Sequence, residues 1–371
     1  MTDYKYSLPE YPCLKDVWDE LREERRPIVI YGMGNGADKL LRRFEKYGIE
    51  VSDIFASDGF VRGHSYKGFR VKSFSEIKAE YSDFVIVLSF ASNRPEVMEM
   101  IRKIDEEYKM YIPDMPVADE GEYFDREFYN SHFDEIESVY NKLADSESKR
   151  IFSSVVKYRL SGKLAHLLFA TSDKDEMYSL LGKNRAETII DAGAYNGDTA
   201  REAISCFPNL KKIYAIEADR RNFKKLALFA ESAEVEIEPI NAAVWSECGE
   251  GNFSGSANRN SSVSATASYE HKKESVPLVT VDSIASDRID YIKYDVEGAE
   301  YEALIGSKNT ILKSRPSLLV SLYHRSRDIF FLPQYVNESF DKYKLYVRRL
   351  PSIPAWELNL IALPIETLEK V

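Results

Sequence analysis

Residues 188–199 read Thr-Ile-Ile-Asp-Ala-Gly-Ala-Tyr-Asn-Gly-Asp-Thr, a β-branched apolar run followed by two glycines. The pattern predicts a strand over Thr188–Asp191 that turns through Gly193 and Gly197 into a helix beginning at Asp198. A strand that passes into a helix across glycines is the opening unit of a parallel α/β sheet. This stretch therefore assigns the chain to the α/β class.

Six further runs of β-branched and aromatic residues follow this segment, and helical stretches separate most of the early ones. They predict strands at Lys212–Glu217, Val235–Ile240, Tyr291–Asp295, Ser317–Tyr323, Tyr343–Val347 and Asn359–Leu363. Residues 249–268 are rich in Ser, Gly and Asn, and predict a surface loop or hairpin near the site.

The part of the chain before Thr188 divides into two regions. Its first region alternates helical stretches with three predicted strands, at Pro27–Tyr31, Val51–Ala56 and Phe84–Ser89. Residues 1–118 are therefore expected to form a smaller Rossmann-like α/β domain. Residues 119–183 show helical spacing without a strand-like run, which predicts a helical linker. The second α/β domain is expected over residues 184–371.

Bulk properties limit the classes of function. The 371 residues carry a net charge of −11, which argues against a broad nucleic-acid-binding surface. The three cysteines lie far apart without metal-like spacing. The amino terminus lacks an apolar signal core, and no apolar run is long enough to span a bilayer. We expect a cytoplasmic protein, with a homo-oligomer left open.

A first glycine loop, Gly32-Met-Gly-Asn-Gly-Ala37, matches the G-x-G-x-x-A pattern between a strand and a helix. Such a loop brings a phosphate close to a helix amino terminus, and Asp53 or Asp58 would then bind a ribose. Alternatively, the glycines serve only a tight turn in a parallel sheet. A nucleotide or nucleotide-sugar is the first ligand to test.

The second loop has the spacing G-x-x-x-G, which suits a pyrophosphate less well. S-adenosylmethionine carries a carboxylate, an ammonium and a sulfonium, and needs backbone donors near a helix start together with an acidic acceptor. Gly193 permits close approach of the backbone, and Asp191 supplies a carboxylate. The predicted cofactor-binding loop is completed by Ala194, Tyr195, Asn196 and Gly197.

The ends of the next two strands complete this predicted pocket. Glu217 lies 24 residues after Gly193, where its carboxylate can accept both ribose hydroxyls, and Ala218 adjoins it. Asn241 and Ala242 follow the third strand, where small residues would let an adenine ring lie flat.

The fourth strand ends in Lys-Tyr-Asp-Val-Glu-Gly-Ala-Glu, residues 293–300, and the fifth is followed by His324. Methyl transfer to a hydroxyl requires alignment and a proton acceptor. Asp295, Glu297 and His324 are the candidates, and Asp295 also adjoins the cofactor. The two carboxylates could instead hold a divalent cation, whose ligands the sequence does not define.

Three segments, residues 191–199, 293–300 and 321–328, together resemble the FkbM-type methyltransferases, as does Val279-Thr-Val-Asp-Ser283. The resemblance covers about residues 175–365, and Tyr294 replaces the family's usual apolar residue. It implies a class I methyltransferase fold with a mostly parallel seven-stranded sheet, and S-adenosylmethionine as donor. It also implies that Tyr178 is an aromatic contact of the cofactor.

The resemblance suggests O-methylation of a hydroxyl, as in a sugar of a polysaccharide or glycolipid. A glycan or another small molecule is the expected acceptor. The alternative is a nucleotide-sugar binding or assembly protein that works through the first domain. A nicotinamide-dependent oxidoreductase ranks last, because no Tyr and Lys pair at catalytic spacing accompanies the first loop.

Overall fold

The computed structural model describes most of the chain. The described residues are 6–57, 59, 61, 63, 65–118, 122–254, 262–264 and 274–368. No helix within these ranges combines the length and the apolar character that crossing a membrane requires.

The first region folds around a five-stranded parallel sheet. Its elements are α1 Val17–Glu23, β1 Ile28–Tyr31, α2 Asn35–Tyr47, β2 Asp53–Ala56, β3 Ser65–Tyr66, β4 Phe69–Arg70, β5 Lys72–Ser73, α3 Phe74–Glu80, β6 Val85–Leu88, α4 Pro95–Glu107 and β7 Met110–Tyr111. The strand order is β5-β2-β1-β6-β7, and β3 pairs with β4 as a separate hairpin. Every residue of β1, β2 and β6 is buried, as expected for central strands covered on both faces.

Helices occupy the region between the two sheets. They are α5 Arg126–Ser131, α6 Phe133–Lys142, α7 Ser146–Ser161, α8 Leu164–Phe169 and α9 Lys174–Leu180. The predicted helical character is therefore observed in the described part of this region. Asp145 caps α7 by accepting a hydrogen bond from the Ser148 backbone N–H at 2.7 Å, and α7 ends at a left-handed Gly162.

The last region contains the larger sheet. Its elements are β8 Thr188–Ala192, α10 Asp198–Cys206, β9 Lys212–Ile216, α11 Arg220–Ala230, β10 Glu236–Ile240, β11 Ala243–Val244, β12 Gly249–Ser254, β13 Ser262–Ser264, β14 Glu274–Val279, α12 Val281–Ile284, β15 Tyr291–Tyr294, α13 Glu300–Ile305, α14 Lys308–Ser314, β16 Ser317–Ser321, α15 Asp328–Ser339, β17 Tyr343–Arg349, β18 Leu358–Pro364 and α16 Ile365–Leu368.

The order of the larger sheet is β10-β9-β8-β15-β16-β18-β17. Only β18 runs antiparallel, and it pairs with both β16 and β17. The seven strands predicted from the sequence are those of this sheet, and the mostly parallel α/β fold is confirmed. Because β8 lies beside β9 and β15, its carboxyl end meets theirs at one edge.

The Ser- and Gly-rich segment after Cys248 forms more than a loop. Strands β12 and β13 make the predicted hairpin, and β12 also pairs with β14 in a four-stranded sheet completed by β11. The remainder of the predicted loop, residues 255–261 and 265–268, lies outside the described residues.

A buried arginine of α7 joins all three regions. The Arg159 side chain lies 3.1 Å from Asp114 of the first region, through its Nε atom. It also donates hydrogen bonds of 3.2 Å to the carbonyls of Leu322 and Ser326, which follow β16. Nearby, the Ala118 N–H donates to the His324 carbonyl at 2.9 Å. The first region is thereby fixed against the loop that follows the fifth strand of the larger sheet.

Candidate active site

A cavity of about 210 Å³ lies at the carboxyl ends of β8, β9 and β15. The predicted site residues that line it are Gly193, Tyr195, Glu217, Ala218, Ala242, Asp295 and Glu297. Three strand ends converge here because parallel neighbours end at one edge of the sheet. The structure thus brings together seven residues predicted from separate sequence segments.

The loop after β8 is pressed against the end of β15. A Cβ atom added to Gly193, which has a φ of +91°, would lie 1.9 Å from the Asp295 carbonyl oxygen. The Gly193 N–H donates to the Ile216 carbonyl at 3.0 Å, which holds the loop against the other neighbouring strand. Glycine is therefore required at this position on both steric and conformational grounds.

Glu217 turns its carboxylate back toward this loop. One oxygen accepts a hydrogen bond from the Tyr195 N–H at 2.8 Å, and the other accepts from the Asp219 N–H at 2.7 Å. The side chain is buried, and this burial raises the pKa of Glu217 to about 7. Both oxygens keep lone pairs for the vicinal hydroxyls of a ribose.

Small side chains form the wall beyond Glu217. Ala218 and Ala242 line the cavity, and Ala243 adjoins them. Asn241 does not line it, because its amide donates to the backbone carbonyls of Glu217 and Ala218 at 2.8 and 3.2 Å. Asn241 thus fixes the turn that presents Glu217.

Asp191 faces a second cavity of about 750 Å³ that adjoins the first at Lys293 and Asp295. Its carboxylate accepts a hydrogen bond from the Thr199 hydroxyl at 2.5 Å and lies 3.4 Å from the Lys293 ammonium. The same ammonium lies 3.3 Å from Asp295. Burial alone would lower the pKa of Lys293, but these two carboxylates raise it, so the lysine stays charged.

Four groups that donate a hydrogen bond or carry a positive charge surround the carboxylate of Asp295: Lys293, Ser321, Tyr323 and His324. Ser321 and Tyr323 donate to its Oδ1 atom at 3.0 and 2.8 Å, and His324 Nε2 lies 3.6 Å from the same atom. Although burial would raise the pKa of Asp295, Lys293, His324 and these hydrogen bonds lower it to about 2. Its carboxylate is therefore ionised and committed to its neighbours.

His324 is fully buried and does not line the cavity. Its Nδ1 atom lies 2.9 Å from Glu300, and its Nε2 atom lies 3.6 Å from Glu297. Burial alone would lower the pKa of His324, but the charges of Glu300, Glu297 and Asp295 raise it to about 10. The imidazole therefore holds its proton at neutral pH in the absence of another cation.

Glu297 is the more exposed of the two candidate acids that line the cavity, with 32% of its side chain exposed against 26% for Asp295. Its φ of +54° is left-handed, which turns the chain sharply at the start of the Glu297-Gly298 turn. Burial raises the pKa of Glu297 to about 8, with a smaller contribution from the charge of Asp295.

Four other predicted residues lie outside the first cavity. Tyr178 lines the second cavity, and its hydroxyl donates to Glu202 while its ring packs on Phe207. Ala194 is buried in the core, and Gly197 begins α10 with a φ of +84°. The Asn196 carbonyl accepts a hydrogen bond from Arg201. Any cofactor contact of these four stays a prediction.

In the first region, the structure overturns one interpretation. Asp53 begins β2, and therefore lies at the sheet edge opposite Gly32, which follows the end of β1. Its carboxylate is paired with Lys72 at 2.7 Å and accepts a hydrogen bond from Tyr81 at 2.5 Å. The prediction that Asp53 binds a ribose beside the first loop is wrong, and Asp58 lies outside the described residues.

Sequence reasoning missed several residues of the site. Lys293 stands two residues before Asp295, so the strand period alone could have placed both on one face. Val117, Trp356 and Glu357 also line the cavity but come from distant segments without a motif. No local signal could have identified these three.

The donor set fits S-adenosylmethionine. The carboxylate of Glu217 could accept the hydroxyls of a ribose, the alanines leave room for a flat base, and the backbone at Gly193 lines the cavity where a methionine end would lie. The Asp191–Lys293–Asp295 charges lie at the junction of the two cavities, where an amino-acid group can find partners of both signs. The residues at this edge of the sheet therefore suit S-adenosylmethionine.

Comparison with known proteins agrees with this fit. The family described as the methyltransferase FkbM domain matches residues 191–350. No curated protein matches the chain. Methyltransferase FkbM from Methylobacillus flagellatus KT is 18% identical, with a TM-score of 0.67 over 93% of this chain and 92% of that chain. At this identity the likeness establishes the fold, including the region before the methyltransferase domain.

Two further solved structures are similar to parts of this chain. An rRNA methylase from Streptococcus thermophilus is 12% identical over 51% of this chain and 95% of its own, with a TM-score of 0.32. Fibrillarin from Aeropyrum pernix is 14% identical over 49% and 68%, also at 0.32. The family match and the geometry of the site together identify a methyltransferase domain of the FkbM type over residues 191–350, with S-adenosylmethionine as its methyl donor.

Proposed function

We propose that the enzyme methylates a hydroxyl group of a saccharide, in the assembly of a polysaccharide or glycolipid in the cytoplasm. The observation that carries this proposal is a third cavity of about 580 Å³, which shares Val117, Trp356 and Glu357 with the cofactor cavity. Its volume lies within the range of small-molecule sites, about 300 to 1,000 Å³.

The third cavity lies between the first sheet and the methyltransferase domain. Asn35 and Gly36 of the first glycine loop line one side, and the segment 352–357 lines the other. Ser92 and Ile353 exchange two backbone hydrogen bonds of 2.7 and 2.9 Å across this junction. An acceptor bound here would extend directly from the first loop to the cofactor.

The composition of the third cavity suits a sugar. Trp356 presents an aromatic face, with its ring 6.4 Å from that of Tyr323, and apolar rings pack against the C–H groups of a pyranose. Ser89, Asn93 and Arg94 add polar groups that can orient hydroxyls. This mixture is typical of a saccharide site.

Among the three predicted candidates, Glu297 is the best placed to accept the hydroxyl proton. It lines the cavity, and although a pKa of about 8 leaves only a minor part of it ionised at neutral pH, that ionised form is a stronger base than Asp295, whose pKa is lowered to about 2. His324 neither reaches the cavity nor releases its proton at neutral pH. His324 is therefore a positioning residue for the two carboxylates.

S-adenosylmethionine supplies an electrophilic methyl group when bound. The contribution of the chain is to hold the acceptor oxygen in line and to receive its proton on Glu297 as the new O–C bond forms. Asp295 stays ionised between Lys293 and Tyr323, and provides a fixed negative charge near the cationic sulfur.

The test is mass spectrometry of candidate saccharides after incubation with isotopically labelled S-adenosylmethionine. The panel contains free sugars, nucleotide-linked sugars and glycolipids, and one acceptor is expected to gain a single methyl group on oxygen. Glu297→Gln should reduce this transfer by about 10² to 10⁴-fold while it retains cofactor binding. Methylation of nitrogen, or of no saccharide in the panel, would refute the proposed acceptor class.

A pair of tryptophan substitutions tests the position of the acceptor. Ala91→Trp fills the third cavity, which Ala91 lines, and Ala79→Trp makes the same change on the exposed face of α3. We expect Ala91→Trp to raise the KM for the acceptor at least tenfold without changing cofactor affinity, and Ala79→Trp to change neither. Equal behaviour of the two variants would exclude this cavity.

The first loop also supports a second candidate function, a protein that binds a nucleotide-sugar without methylating it. Asn35 and Gly36 line the third cavity at the amino end of α2. Equilibrium dialysis that shows nucleotide-sugar binding, together with unmodified sugar after incubation with the cofactor, would favour this candidate.

A further inference from the structure

We infer that the carboxylate of Glu357 binds the acceptor, by accepting hydrogen bonds from saccharide hydroxyls beside the one that is methylated. Glu357 would then be a specificity-determining residue of the methyl transfer. The inference deepens the proposed function and rests on it for the class of acceptor. No motif of the sequence marks this residue, which lies in the loop between β17 and β18.

Glu357 lies where three cavities meet. It lines the cofactor cavity, the second cavity beside Asp191 and the third cavity, in which we propose that the acceptor binds. No other described residue lines all three, and no other described residue of the third cavity carries a carboxylate. An acceptor that extends from the third cavity to the cofactor would therefore pass Glu357.

The backbone of Glu357 also indicates a functional position. Its φ is +60°, in the left-handed region that few residues other than glycine adopt. Six residues other than glycine have such a φ in the part of the chain that the structure describes, and three of them, Tyr195, Glu297 and Glu357, line the cofactor cavity. Conformations of this kind cost free energy and cluster at functional sites. Asparagine would suit this backbone better, so the backbone alone does not account for a glutamate here.

The loop that carries Glu357 is fixed on two sides. The Glu357 carbonyl accepts hydrogen bonds from the Leu350 N–H at 3.2 Å and from the Asn359 amide at 2.9 Å. Ile353 of the same loop pairs with Ser92 of the first region. These bonds fix the point from which the Glu357 side chain begins. A group that is fixed before binding loses less entropy when it binds, so a carboxylate in this loop can contribute to affinity.

The charges around Glu357 suit a ligand that donates hydrogen bonds. Burial alone would lower the pKa of Lys293, and the charges of Asp191, Asp295 and, more weakly, Glu357 raise it. Glu357 is therefore within electrostatic reach of Lys293, which favours the ionised carboxylate. An ionised carboxylate only accepts hydrogen bonds, at about four lone-pair positions, so a contact within the protein leaves positions for hydroxyls of a ligand.

Trp356 precedes Glu357 and supplies the apolar half of a saccharide contact. Its carbonyl accepts a hydrogen bond from the Ser352 hydroxyl at 2.6 Å, which helps to hold this end of the loop. A sugar that packs a face on Trp356 presents hydroxyls at its edge, where a neighbouring carboxylate can accept from two of them. Because a sugar that lacks such a hydroxyl leaves the carboxylate unpaired, Glu357 would discriminate between acceptors that differ in one hydroxyl.

The test compares the wild type with Glu357→Gln, which keeps the size of the side chain and removes its charge. The probes are methyl glycosides and nucleoside-diphosphate derivatives of glucose, galactose and mannose, together with their monodeoxy analogues. For the sugar that is methylated, we expect Glu357→Gln to raise the KM about tenfold or more, with a smaller change in kcat. The wild type and the variant should have equal KM for the analogue that lacks the hydroxyl bound by Glu357, which a purely structural role would not produce. Glu338→Gln, an exposed glutamate near the end of α15, is the control and should behave like the wild type.

A second variant separates the side chain from the stability of the loop. Glu357→Asn fits the left-handed backbone, so its Tm should equal or exceed that of Glu357→Gln while its KM for the acceptor rises similarly. Lys342→Asn makes a matching change at an exposed residue whose φ is also +60°. It should raise Tm without altering the KM.

Unchanged KM in both Glu357 variants, or an equal loss with every monodeoxy analogue, would overturn the inference and leave the proposed function intact. Weaker calorimetric binding of S-adenosylmethionine by Glu357→Gln would also overturn it, because the residue would then serve the cofactor. Binding of one of these sugars that weakens in Glu357→Gln, without methylation of any sugar, would refute the proposed reaction and leave the contact intact. Neither binding nor methylation of any sugar would refute both.

Discussion

The two glycine loops of this chain are built on the same backbone plan but differ in the acids beside them. In each, the first glycine donates to the neighbouring strand, Gly32 to Phe55 and Gly193 to Ile216. In each, the residue that follows the strand on the other side donates a hydrogen bond to the last residue of the first strand. After β6 this is Ser89 to Tyr31, and after β15 it is Asp295 to Ala192.

The crowding is also the same in both loops. A Cβ atom on Gly36 would lie 1.9 Å from the Ser89 carbonyl, as one on Gly193 would from the Asp295 carbonyl. The two loops differ, however, in the residue beside them at the end of the second strand. In the first sheet this residue is Ala56, and the corresponding residue of the larger sheet is Glu217. Glycines in such a loop therefore indicate only close packing. The acids at the ends of the neighbouring strands distinguish a cofactor site from a structural turn.

The largest effect is expected from Asp295, the acid that directly follows β15. Asp295→Asn should reduce kcat/KM about 10³-fold, because it removes the charge that pairs with Lys293 and His324. Its counterpart is Asp53→Asn, which breaks the buried pair with Lys72 in the first sheet. We expect that change to lower Tm without altering transfer. Release of S-adenosylhomocysteine measures the rate, and equal activities of the two variants would contradict the contrast.

A second pair of variants separates packing from cofactor binding. Gly193→Ala and Gly36→Ala both place a methyl group against a carbonyl, and each should destabilise the fold by about 3 kcal/mol. Only Gly193→Ala should weaken S-adenosylmethionine binding, at least tenfold in the folded fraction. Chemical denaturation and calorimetry check the two parts, and a cofactor defect in Gly36→Ala would show that the first loop acts on the pocket.

Glu217→Gln removes the charge of the acid that has no counterpart at the corresponding position of the first sheet. Loss of two charge-assisted hydrogen bonds to a ribose should cost about 1.5 to 3 kcal/mol, or about 10- to 100-fold in affinity. Glu231→Gln, an exposed glutamate at the end of α11, is the control and should leave the affinity unchanged. A calorimetric titration that finds Glu217→Gln as tight as the wild type would remove Glu217 from the pocket.

The smallest effect is a dependence on pH. Burial raises the pKa of Glu217 to about 7, so the carboxylate is protonated below that value and ionised above it. Because a ribose binds the ionised form better, affinity should rise about tenfold from about pH 6 to about pH 8. The rise should be smaller in Glu217→Gln. A rise of the same size in both would assign it to another group, such as Glu297.

The sequence predicted the larger sheet well because its strands are buried β-branched runs, which local pattern identifies. Glu217 and Asp295 were found for the same reason, since each directly follows such a run. Asp53 was misassigned because β2 begins at Asp53 and runs parallel to β1, so that this residue lies at the edge of the sheet away from the loop. Burial of His324 was also beyond local pattern, because elements distant in sequence bury it.

Contacts between distant segments escaped prediction altogether. Val117 ends the first region, and Trp356 precedes β18, yet both reach the wall of the cofactor cavity. Neither stands in a motif or follows a strand that ends at the site. Their positions depend on how the first region is fixed to the methyltransferase domain, and this docking has no periodic signature in the sequence.

The guanidinium of Arg159 has a consequence for how the molecule unfolds. Because it binds Asp114, Leu322 and Ser326 at once, separation of the regions would leave buried polar groups of each without partners. Neither the first region nor the methyltransferase domain can then unfold alone without a large cost in free energy. Heating should therefore produce one calorimetric transition instead of two, and Arg159→Met should divide it. The two sheets, though built as separate cores, would behave as one cooperative unit.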